Sequence, residues 1–283
     1  MQVCGKINLK AGRWSAAVLP RFGMNTVCLT WDGRPVLRRP AEIDQLEQSP
    51  CVYGIPVLMP PNRTAGGRFS FDGQEYQLPV NEPALDNHIH GQVHSRAFTI
   101  TGERPDSVSA FYENRGETFP FPYRLEVNFR LSEAGYAQTF AFTNTGNRDM
   151  PLCFGLHTVF FRPQWIAVPI GKRWVTDEKL IPTGALEELT AEREEYRTGV
   201  NPGGKTVRGF YTAGGREAVT DDFRYRVSDN FDQWVLWNGD GSEFCAIEPM
   251  CGAVNALNSG TGLLRLAPGQ TARFETLLSH CER

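Results

Sequence analysis

Hydrophobic and polar positions in this chain alternate with a period of two more clearly than they recur at helical spacing. In "RLEVNFRL" the apolar Leu125, Val127, Phe129 and Leu131 are interleaved with Arg124, Glu126, Asn128 and Arg130, the pattern of a strand with one buried and one wet face. "YAQTFAFTNTG" follows with looser alternation, and the intervening "SEAG" is short enough for a hairpin turn. "RFSFDGQEYQL" and "TWDGRPVL" each place Asp-Gly between apolar runs, and Asp-Gly supplies the positive φ angles that a tight hairpin turn demands. Helical signal is confined to "PAEIDQLEQ" and "LTAEREEYRTG", each sufficient for two or three turns, with Thr190 placed to cap the second. Residues 195–220 read as the loosest, loop-rich stretch. Many short strands separated by Gly/Pro turns, without strand-helix alternation, predict an all-β protein built as an antiparallel sandwich or barrel with a few short helices.

Composition narrows the class. At 283 residues an all-β chain commonly forms one domain, so residues 1–283 are expected to fold as a single unit. With 41% hydrophobic and 22% charged residues, 28 Gly and 19 Pro, the chain is globular and rich in turns. A net charge of -3 and the lack of any Lys/Arg run argue against nucleic acid or an anionic membrane as partner, and favour a small neutral ligand. The opening "MQVCGKINLKAGRW" has no apolar run behind a basic start, and no later segment reaches the length of a membrane span, so a soluble, cytoplasmic protein is expected. Seven scattered cysteines (4, 28, 51, 153, 245, 251, 281) without a C-x-x-C pair indicate neither a disulfide framework nor a cysteine zinc site; most are expected to be buried thiols in a reducing compartment.

Three of the five histidines, His88, His90 and His94, fall in "DNHIHGQVH". In an extended segment His88 and His90 share a face, as a β-scaffold metal site requires, but Gly91 and Gln92 suggest a bend and no acidic residue follows to complete a ligand set. Spacing alone leaves that question open. Elsewhere, Asn62 and Arg63 lie in "PPNRTAGGRF", His157 in the apolar "FGLHTVFF", Asp221 and Asp222 in "VTDDFRY", and Glu248 in "CAIEPMCG". Each has a plain structural alternative: a solvated loop arginine, a satisfied core histidine, a turn-capping aspartate, an edge-strand charge. Glu248 is the most informative, because a carboxylate in an apolar run has its pKa raised toward the range of a general base. No nucleophile elbow, phosphate loop or dinucleotide fingerprint is present, which weakens acyl-transfer, kinase and dehydrogenase readings.

In order along the chain, "GIPVLMPPNRTAGGRFSFDGQEYQLPVNE", "NHIHG", "FGLHTVFF", "DEKLIPTG" and "IEPMCGAVNALNSGTGLLRLAPGQT" resemble the successive motifs of the aldose 1-epimerase (galactose mutarotase-like) family. The resemblance implies a large antiparallel β-sandwich and interconversion of the α and β anomers of a free aldose by ring opening and reclosure, with no cofactor and no metal. It makes Glu248 the general base and His157 the acid, the histidine protonated while the glutamate is ionised. His90, Arg63 and Asn62 become sugar-binding residues, and either Asp222, the better fit, or Asp221 contacts a hydroxyl. An aromatic face such as Phe161 or Trp237 is expected against the sugar. The chain departs from the family where Val159 stands in place of a tyrosine, and where "PMCG" after Glu248 lacks a tryptophan often found there. Rival readings are a hexose-6-phosphate 1-epimerase, for which Arg68, Arg96 and Arg124 are available, a non-catalytic carbohydrate-binding protein of the same fold, and a metal-dependent β-barrel enzyme using His88, His90 and His94.

Overall fold

The alternating stretches fold as hairpins. The computed structural model describes residues 5–239, 241 and 243–281; of the cysteines, Cys4 lies outside them. Tyr123–Ser132 and Gly135–Asn144 pair antiparallel, so that Leu125 meets Phe142 and Val127 meets Phe140 on the buried face. The Asp-Gly turns are formed with both residues at positive φ: Asp32 and Gly33 at 51° and 77°, Asp72 and Gly73 at 49° and 74°. Helices form at Ile43–Gln48 and Ala191–Thr198, the second capped by the Thr190 side chain accepting from Arg193 N; a third, Ala256–Ser259, carried no clear signal. Residues 195–220 hold more order than expected. The helix continues to Thr198, and Arg208–Ala213 and Glu217–Thr220 are strands, the first held by antiparallel pairing to Gln233–Trp237.

Two eight-stranded antiparallel sheets dominate the resulting β-sandwich, with a four-stranded sheet formed by residues 7–35. One large sheet runs Thr99–Arg104, Ser107–Asn114, Tyr123–Ser132, Gly135–Asn144, Thr271–His280, Phe223–Val227, Glu217–Thr220, Ile166–Ala167. The other, called the site sheet below, runs Pro182–Glu187, Ile170–Thr176, Arg208–Ala213, Gln233–Trp237, Phe244–Cys251, Phe154–Leu156, Val57–Leu58, with Thr158–Phe161 also on Phe244–Cys251. Phe154 of the site sheet joins the two, its ring centroid 5.2, 5.0 and 4.8 Å from those of Phe140, Phe142 and Phe274. One hydrophobic cluster extends from Ile7 to Leu278.

The six described cysteines are free, with Cys153, Cys245 and Cys251 buried and Cys28, Cys51 and Cys281 partly exposed. Among the described residues no helix is long and apolar enough to cross a membrane.

Candidate active site

Successive residues of Phe244–Cys251 point to opposite faces of the site sheet. Cys245, Ile247 and Cys251 join the main core, whereas Met250 packs with Val235 and Val254 in a separate cluster on the other face. Glu248 falls on that second face, opposite Val235 on the neighbouring strand. On its other side the register Gly155↔Met250 and Thr158↔Ile247 sets His157 directly across from Glu248. A polar pair is thereby held side by side on the sheet, with Glu248 Oε1 3.4 Å from His157 Nε2 and both side chains buried. His157 N is bonded to Pro56 O at 3.1 Å, which fixes the backbone where the strand is interrupted. Glu248 Oε2 and His157 Nδ1 are buried without a partner among the described residues.

The other histidine comes from a turn. His90 and Gly91 have φ of 65° and 63°, so the extended backbone of Asn87–Ile89 ends there and the period of two is broken. His90 N bonds Asn62 O at 2.9 Å, and its ring stands edge-on to that of His157, centroids 5.3 Å apart. His88 is buried instead, its Nδ1 2.7 Å from Pro79 O. His94 lines the cavity from a turn of 3-10 helix. Among the described residues no three His, Cys, Asp or Glu side chains are grouped to hold a metal ion.

Arg63 is not a solvated loop residue. Its Nε and Nη2 donate to Glu82 Oε2 and Oε1 at 2.8 and 2.7 Å, and its side chain is only 13% exposed. Glu82 also accepts from Asn87 Nδ2 at 3.1 Å, while Asn62 Oδ1 accepts from Arg63 N and Nη1. The guanidinium is thus oriented by a two-pronged pair and keeps its charge facing the site. Asn62, Arg63, His90, His157, Trp237 and Glu248 all line one cavity of about 770 Å³, in the size range of small-molecule sites.

Burial governs the electrostatics. It raises Glu248 to about 8, opposed by the nearby Arg63, and lowers His157 to about 4. His90 is held well below its usual value by burial first and by the other histidines and Arg63 after that. In the unliganded site burial thus favours the neutral form of each member, a protonated carboxyl on Glu248 and an uncharged imidazole on His157.

The two aspartates do not join this group. Asp221 occupies the turn before Phe223–Val227 and accepts from Gln164 N and Trp165 N at 2.9 and 3.0 Å, and Asp222 pairs with Arg34 at 3.3 Å. That strand pairs with Thr271–His280 in the opposite sheet and carries the turn away from the cavity wall. Of the two aromatics offered, Trp237 lines the cavity, its ring centroid 5.9 Å from that of His157, and Phe161 does not. Ala246 separates Trp237 from Val159 in the same cross-strand row, so small residues stand beside the indole where a tyrosine was expected. Sequence reasoning missed Glu82, Trp174, Phe210 and Arg208. Of these Glu82 holds Arg63 and the rest line the cavity, yet none sits in a distinctive local pattern.

The aldose 1-epimerase family profile matches residues 5–279, nearly the whole described chain. The chain belongs to the aldose 1-epimerase family. The chain is similar to the uncharacterised protein YihR of Escherichia coli strain K12, 27% identical over 95% of this chain and 91% of YihR. A galactose mutarotase-like protein from Clostridium acetobutylicum superposes with a TM-score of 0.89 at 26% identity, covering 96% of this chain and 93% of that one. Galactose 1-epimerase from Lactobacillus acidophilus NCFM shares the fold at a TM-score of 0.79 and 14% identity, over 98% of this chain and 95% of that one.

Proposed function

We propose that this aldose 1-epimerase family member interconverts the α and β anomers of an aldose, with Glu248 and His157 as the acid-base pair. The observation that carries the reading is the buried contact between them on the wall of a sugar-sized cavity, each with a polar atom left for a ligand. On binding, hydroxyl donors from the sugar and the Arg63 charge stabilise the carboxylate form, and the proton of the pair passes to His157. Glu248 then takes the proton of the anomeric hydroxyl as the C1–O5 bond breaks, and His157 delivers its proton to O5. The open aldehyde rotates about C1–C2, and the reverse transfers close the ring on the other face. His90 and Arg63 orient the ring oxygen and hydroxyls, with Asn62 holding Arg63, and Trp237 offers its face to the apolar side of the sugar. Free thiols fit a reducing compartment, and a cytoplasmic location belongs to this proposal.

Polarimetry on freshly dissolved α-D-glucose and α-D-galactose tests it. Wild-type protein is expected to speed equilibration above the spontaneous rate, and Glu248→Gln to lose about 10²-fold or more of that acceleration, as for other general bases. Glu248→Gln turning over at the wild-type rate would remove the glutamate from the mechanism.

A further inference from the structure

The acid-base pair stands at one end of a row of side chains that crosses the site sheet. On the face that carries Glu248, strand pairing sets Val235 beside Glu248 and Phe210 beside Val235. The register Arg173↔Tyr211 then puts Trp174 next to Phe210, and Leu186 lies opposite Trp174 on the edge strand. Neighbouring strands are about 4.8 Å apart, so Phe210 and Trp174 stand on strands about 10 and 14 Å from that of Glu248. Glu248, Val235, Phe210 and Trp174 all line the cavity. The row is closed at one end, where Glu248 is 2% exposed, and open at the other, where Leu186 is 42% exposed.

This row is not ordinary core packing. Trp174 is buried, yet among the described residues neither it nor Leu186 joins a hydrophobic cluster, and Phe210 only borders the small one formed by Val235, Met250 and Val254. The Trp174 indole is held in place, because its Nε1 donates to Gln233 Oε1 at 2.8 Å, which satisfies its one polar atom and leaves the ring for apolar contact. Arg63, Arg173 and Arg193 on the same wall are paired with Glu82 or Glu187, so their charge is balanced there. An aromatic strip beside balanced charges suits the apolar face of a neutral sugar ring. One pyranose at the acid-base pair, against Trp237, is too short to reach Trp174 three strands away. With its C1 at the pair, the hydroxyl at C4 lies across the ring and points away from it, so a second ring joined there continues along the row.

We propose that the cavity takes 1,4-linked reducing disaccharides, with the reducing ring at Glu248 and His157 and the second ring on Phe210 and Trp174. The proposal deepens the epimerase reading above and rests on it for turnover, though not for binding. The proton transfers stay at the reducing ring, and the glycosidic bond is untouched.

Anomer exchange of maltose, cellobiose and glucose is followed by NMR in wild type, Phe210→Leu and Phe210→Tyr. At least one disaccharide is expected to exceed glucose in kcat/KM by roughly tenfold or more, because binding energy gained by the remote ring is available to the transition state. Phe210→Leu keeps an apolar side chain of similar size, and so the fold, but should draw that ratio toward one; Phe210→Tyr should keep most of it. Which disaccharide gains sets the preferred linkage. Disaccharides no faster than glucose, or a ratio that Phe210→Leu leaves intact, overturn the second subsite while the epimerase reading stands. If no sugar is accelerated, the epimerase reading fails and calorimetry with the same sugars decides the binding. A preference of at least about tenfold for maltose or cellobiose, lost in Phe210→Leu, upholds the subsite, and no preference overturns it.

Discussion

Glu248 and His157 are perturbed in opposite directions by one cause, the loss of water around each, and we propose that the pair shares a single mobile proton. Its pH dependence follows from the pair, not from either residue. Below about 4 the second proton binds and His157 is charged beside a neutral acid; above about 8 the pair loses its last proton and no acid remains. The kcat/KM profile is therefore expected to be bell-shaped with limbs near those values, measured by mutarotation rates corrected for the spontaneous reaction at each pH. A flat profile from pH 5 to 10 would show that this pair does not carry the protons. At this scale the sequence exposed Glu248 as an odd carboxylate in an apolar run, and the family resemblance singled out His157. That Glu82 fixes Arg63 was not legible, because the two are 19 residues apart and only the turn between their segments brings them together.

Among the elements, the turn that presents His90 is the least tolerant. A Cβ on Gly91 would lie 2.0 Å from Met59 O at a φ of 63°, so Gly91→Ala must push the His90 turn away from Pro60 and Asn62. The expected cost is about 1–3 kcal/mol of stability together with a fall in kcat/KM, read from thermal melts and mutarotation on the same sample. Normal values for both would mean the turn relaxes freely and does not set the His90 geometry. The hairpins were readable because Asp-Gly turns and alternation are local properties. The histidine cluster stayed open on spacing for the same reason: period-two reasoning holds only while the backbone stays extended, and His90 and Gly91 leave that region together.

The whole molecule is held by a core in which Phe154 ties the sheets, and we propose that it is one domain on the strength of that continuous cluster. A single thermal transition is expected. The buried pair adds a pH dependence of known sign. Glu248, raised from 4.5 to about 8, favours the folded state at low pH and loses that contribution as pH rises toward 8. His157, lowered from 6.5 to about 4, contributes fully above 6.5 and loses it as pH falls toward 4. Between 6.5 and 8 only the glutamate changes, so its contribution should lower the melting temperature across that window, and Glu248→Gln should flatten that part of the slope. An identical slope in the variant would mean that Glu248 is already ionised in the folded protein.

The sequence by itself determined the clearest hairpins, their turns, the fold class and the family, since alternation, Asp-Gly turns and ordered motifs are all written along the chain, whereas the strands Arg208–Ala213 and Glu217–Thr220 were not legible in it. Tertiary structure decided which polar residues share a site. Register placed His157 across from Glu248, sent Asp221 and Asp222 to the opposite sheet, and brought Arg208 onto the face that carries Glu248. Cross-strand neighbours are fixed by pairing between segments far apart in sequence, and the burial that shifts their protons exists only once those segments have closed over one another.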